Sequence, residues 1–102
     1  MRGLRLYPAA IADIEAAHGW YEHQRDGLGA EFELQLHELF ERIRRTPEAF
    51  PIEHGAYRRA KLRVFPYLIF FRHDDQTVYV AMVLHMSRGP SARRRRLPHT
   101  RD

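Results

Sequence analysis

Hydrophobic and polar positions change period twice along this chain, from a short alternating start to a helical stretch and then to a strand half. At the start, Arg2 to Tyr7 alternates, with Leu4 and Leu6 apolar between Gly3, Arg5 and Tyr7, which predicts a short first strand. Pro8 suits the first turn of a helix. Ala10, Ile14, Ala17 and Tyr21 then recur at i, i+4, i+7 and i+11, one face of an amphipathic helix that Ile11 and Trp20 widen. Asp13 and Glu15 fall near its start, where the helix dipole favours acids. Asp26-Gly27-Leu28-Gly29 predicts a break with a glycine cap. A second helix carries Phe32, Leu36, Leu39, Phe40 and Ile43 as its apolar stripe. It ends with Arg42, Arg44 and Arg45 in its last turn and Thr46-Pro47 as its stop. The two helices read as a hairpin.

After Phe50-Pro51 and the loop at His54-Gly55 the period shortens. Between Tyr57 and Phe65, Ala60, Leu62 and Val64 point one way and Arg59, Lys61 and Arg63 the other. Phe65-Pro66 is a break. Tyr67 to Phe71 is apolar on both faces, as in a central strand. His73 to Gln76 is a turn, and Val78 to His85 is the last strand. The order β-α-α-β-β-β predicts an α+β domain, an antiparallel sheet with the N-terminal helical hairpin packed on one face. Its expected extent is residues 1–90, followed by a basic C-terminal tail over 91–102 that is mobile when the protein is alone.

Composition narrows the chemistry. A chain of 102 residues with 44% hydrophobic positions fits one domain with a core of its own. With no cysteine, a disulfide framework, a thiolate metal site and a cysteine nucleophile are excluded. No apolar leader precedes Pro8, and neither Val64–Phe71 nor Val78–Leu84 approaches the ~20 residues of a membrane span. A cytoplasmic protein without membrane contact is expected. The seven histidines match no metal-ligand spacing, no phosphate loop is present, and neither Ser87 nor Ser91 sits in a nucleophile elbow. No cofactor and no metal are expected.

Charge adds more than its total of +4. Residues 8–54 carry four arginines against ten acids, whereas 55–102 carry eleven basic residues against Asp74, Asp75 and Asp102. Such polarity favours an anionic partner on one side. Alternation sets Arg59, Lys61 and Arg63 in a row about 7 Å apart per step, which suits successive phosphates. His85 near the last strand's end could move a proton at neutral pH, and Arg88 could stabilise a pentavalent phosphate.

In order, Trp20-Tyr21-Glu22, Gly27-Leu28-Gly29, Tyr57-Arg58-Arg59-Ala60, Val64-Phe65-Pro66-Tyr67 and His85-Met86-Ser87-Arg88-Gly89-Pro90 resemble the RelE/ParE superfamily of bacterial type II toxins, in its plasmid-stabilisation branch. The resemblance implies a cognate small antitoxin whose acidic segment masks the basic surface. It implies a RelE-like toxin that cuts mRNA on the ribosome, with Arg59, Lys61, His85 and Arg88 as catalytic residues. Arg63, Arg93, Arg94, Arg95 and Arg96 would then hold nucleic acid. The alternatives it leaves open are a ParE-like inhibitor of DNA gyrase without chemistry of its own, and a weakly active homologue that mainly binds its antitoxin. Leu68 stands where RelE has an arginine, and no tyrosine follows Arg88.

Overall fold

Leu4 and Leu6 lie in β1 (Gly3–Leu6), followed by α1 (Pro8–Gln24), α2 (Leu28–Arg45), a 3-10 turn at Pro47–Ala49, β2 (Ile52–His54), β3 (Tyr57–Lys61), β4 (Tyr67–His73), β5 (Thr77–His85) and α3 (Pro90–Arg96). This is a computed structural model, and it describes residues 1–97 apart from the side chain of Arg94. The α+β class and the helical hairpin are as the sequence predicts, with β2 and α3 added. The sheet runs β1-β5-β4-β3-β2. Pairings from β2 to β5 are antiparallel, but β1 lies parallel to β5, with Leu4 opposite Val78 and Leu6 opposite Val80. The wholly antiparallel expectation is therefore corrected at this edge. Between β1 and β5 the chain crosses one face of the sheet as the helical hairpin, and only such a crossover can bring two strands into parallel pairing.

The hairpin turn depends on a few polar contacts. Gly27 adopts φ +88°, a left-handed conformation that suits glycine, and α2 starts at the next residue. The Glu22 carboxylate accepts the N–H groups of Gly27 at 2.9 Å and Gly29 at 3.0 Å, which holds its carboxyl below the usual range. These are donors that a helix start leaves without intrahelical partners.

Ala10, Ala17 and Tyr21 of α1 and Phe32, Leu36, Leu39, Phe40 and Ile43 of α2 pack on Ala60, Ile69, Phe71, Val78, Val80 and Val83. Tyr21, Phe32, Phe65 and Tyr67 form an aromatic cluster with ring centroids 4.8 to 6.1 Å apart, mostly edge to face. Ile11 and Trp20 do not widen the buried stripe, being 45% and 58% exposed. Small Ala10 and Ala17 let α1 lie close to the sheet, so its buried face is narrow.

β3 also ends earlier than its alternation suggests. Leu62 is buried but Val64 is 69% exposed. The Leu62 N–H donates to the Tyr67 carbonyl and the Tyr67 N–H to Phe65, which closes a tight turn around Pro66, a residue with no N–H of its own. In β5, Phe71 pairs with Val80 while Phe70 pairs with Met82, leaving Ala81 as the extra residue of a β-bulge. Ala81, Met82 and Leu84 consequently pack with Tyr57, Leu68 and Phe70 on the side of the sheet away from the hairpin.

Residues 91–96, expected as part of a mobile tail, form a helix with Pro90, and Leu97 behind it is buried in that outer cluster. Residues 98–102 of the tail lie outside the described residues. Among the described residues no helix is long and apolar enough to cross a membrane.

Candidate functional site

Arg59 and Lys61 occupy adjacent outward positions of β3, opposite Phe70 and Leu68 of β4. They line an open pocket of about 600 Å³ on the outer face with Glu53, Met86 and Arg93. The Glu53 carboxylate lies between two guanidinium groups, 3.3 Å from Arg59 and 3.6 Å from Arg93. Arg93 also stacks over the Phe70 ring at 6.0 Å, so α3 is tied to the sheet here. Lys61 is exposed and makes no ion pair among the described residues.

His85 lies elsewhere. It pairs with Tyr67, the β4 neighbour of Leu68, and therefore projects to the hairpin side of the sheet. The Ser87 N–H lies 3.0 Å and the Ser87 hydroxyl 2.8 Å from its Nδ1, contacts that orient the imidazole. Its ring meets Tyr67 edge to face at 5.2 Å. His85 and Arg88 line a second cleft of about 600 Å³ whose walls include Trp20, Tyr21 and Tyr67. Burial pushes the hydroxyls of Tyr21 and Tyr67 above their ordinary range.

Asp13 and Arg96 also line this cleft. The Asp13 carboxylate accepts the Val83 N–H at 2.9 Å and the Arg96 guanidinium at 2.9 and 3.2 Å. The sequence places Asp13 as an acid at a helix start. Its place in the fold is one turn further on, where it caps the β5 edge beyond the end of β1.

The structure thus brings Arg59 to Lys61, and His85 to Arg88, but it does not bring the two pairs together. Arg63 faces neither cleft and lines a third pocket beside α2. Arg93 and Arg96 are engaged in ion pairs, Arg95 is exposed, and the Arg94 side chain lies outside the described residues. Sequence reasoning missed Trp20 as a cleft residue, because an indole at helical spacing reads as core. It also missed Asp13 and Glu53, whose roles depend on partners 83 and 40 residues away along the chain.

A basic, twisted sheet with a helical hairpin on one face is the architecture of the RelE/ParE superfamily. Residues 4–90 match the family model described as "ParE toxin of type II toxin-antitoxin system, parDE", and the chain belongs to this family. A solved structure described as "Chromosomal ParDE TA system from P. aeruginosa" superposes with a TM-score of 0.73. That match covers 83% of this chain and 96% of the other at 17% identity, a likeness of fold. No curated protein matches the sequence. Membership makes this chain the toxin half of a pair and implies a cognate antitoxin.

Proposed function

We propose that this toxin acts by binding, as an inhibitor of DNA gyrase, and not as the mRNA-cleaving enzyme that its basic strand and His85 first suggest. The observation that carries this reading is the division of the expected catalytic set between two faces of the sheet. Cleavage of RNA by its own 2′-hydroxyl needs a base, an acid and a cationic stabiliser within hydrogen-bond reach of one phosphate. A phosphate held by Arg59 and Lys61 would sit in the outer pocket, whereas His85 projects into the cleft on the hairpin side. Leu68 beside Lys61 offers no charge in compensation. The family match supports the same choice, because ParE-like members keep this fold without an RNase site.

The cleft bearing Trp20 and Tyr67 fits the antitoxin. Apolar side chains of an acidic segment would enter between the rings, and its carboxylates would meet Arg88 on the rim. The protein would work in the cytoplasm, with no cofactor.

Two assays in parallel test the proposal. Purified toxin should abolish supercoiling of relaxed plasmid by gyrase, and a reporter message translated in a bacterial extract should remain uncut by primer extension. Ribosome-dependent cuts together with undiminished supercoiling would overturn it.

A further inference from the structure

We infer that Arg42, Lys61 and Arg63 form a site for the phosphodiester backbone of a nucleic-acid duplex. Lys61 ends β3, Arg63 follows in the turn, and Arg42 comes from the last turn of α2. The three converge on one shallow pocket of about 280 Å³, with Gln35 and Glu38 beside them. All three are exposed, and among the described residues none has a carboxylate at ion-pair distance.

Nearby arginines differ. Arg44 is held by Glu41 at 2.8 Å and Arg59 by Glu53 at 3.3 Å. Arg45, exposed on the same last turn of α2, also lacks a carboxylate partner among the described residues, so the cations here outnumber Glu38 and the corner keeps an excess of positive charge. Lys61 also lines the outer pocket with Arg59 and Arg93, so the positive surface continues around the end of β3. Three cations against the single carboxylate of Glu38 leave this pocket net positive, and a polyanion bound there gains further by releasing its counterions.

The chemistry of the lining selects among polyanions. Among the described residues, neither basic pocket is lined by an aromatic ring. Unpaired bases would find no stacking platform there, and single strands depend on such platforms. A duplex backbone needs only cations and hydrogen-bond donors. An acidic peptide would gain more at the Trp20 cleft, where an apolar seat exists. This inference stands apart from the gyrase reading, since it is measured on the toxin alone.

The test is fluorescence anisotropy with a labelled 20-base-pair DNA duplex and the full-length toxin, titrated between about 50 and 200 mM salt. Binding is expected at the low-salt end. Replacing all three residues (Arg42→Gln, Lys61→Gln, Arg63→Gln) should weaken it at least tenfold. It should also lower the log–log salt slope by about 2.7, or about 0.9 for each phosphate left without its cation. Arg25→Gln, in the turn between α1 and α2, should retain the affinity. If the triple variant does not fold, each single substitution should still lower the slope by about 0.9. Several outcomes would overturn the site: no duplex binding at 50 mM salt, an unchanged slope in the variants, or tighter binding of a single strand of the same length. Preferential binding of polyglutamate at this corner would assign it to an acidic protein instead.

Discussion

Lys61 and His85 lie on opposite faces of the same sheet, because Lys61 pairs with Leu68 and His85 with Tyr67, adjacent residues of β4. Ala81 causes this. From the Arg72–Tyr79 pair, strict alternation would set Val83 opposite Leu68 and carry His85 to the outer side with Lys61. One extra residue at the bulge advances the register and sends His85 behind the sheet. Valine at 83 takes the inner position, and Met82 and Leu84 cover the outer one.

Independence of the two positions follows. Shifts in the toxin concentration for half-inhibition of supercoiling, measured for Lys61→Ala, His85→Ala and the double variant, should add to within about 0.5 kcal/mol. Residues of one catalytic unit would behave otherwise, the double variant being no worse than the worse single one.

Asp13 joins three elements, α1, β5 and α3, through the Val83 N–H and Arg96. Asp13→Ala should cost about 1–3 kcal/mol, since it removes the acceptor from a part-buried N–H. Arg96→Gln, which removes only a partly exposed ion pair, should cost less than about 1 kcal/mol. Urea unfolding of the two variants measures the difference. Limited proteolysis near α3 should accelerate in both.

Gly29 and Gly19 should respond to alanine in opposite directions. A Cβ at Gly29 would stand 2.8 Å from the His18 carbonyl oxygen and 2.9 Å from two atoms of its ring. The helices must part there, and Gly29→Ala should destabilise by about 1–3 kcal/mol despite better helix propensity. Nothing lies within 4 Å of a Cβ at Gly19, in the interior of α1. Gly19→Ala should stabilise by about 0.5–1 kcal/mol. Thermal melts of the pair test both signs.

Tyr57 gives the fold an alkaline limit. Burial, followed by its hydrogen bond with Tyr7, raises the phenol from 10.0 to about 12. A proton held more tightly in the folded state stabilises that state fully below pH 10.0, and the contribution is lost as pH rises to about 12. The urea midpoint should therefore fall between those values, and Tyr57→Phe should fall less steeply. An equal fall in the Phe variant would assign the alkaline loss to other groups.

Local signals determined much of this protein. The 3.6-residue stripe from Phe32 to Ile43 fixed α2, Pro47 fixed its end, and the apolar run Tyr67 to Phe71 marked the central strand. These features were legible because they depend on neighbours a few residues away. The ordered motifs from Trp20 to Pro90 also carried the family. Tertiary structure alone decided where the chemistry falls. The parallel β1–β5 edge arises from pairing across more than seventy residues, and Glu53 and Asp13 recruit α3 arginines from elements far apart in the chain. Period-two alternation contains no mark for a bulge, because any residue can be the extra one when packing on both faces accepts it. At Ala81 both faces accept it, and that single residue separates His85 from the basic strand.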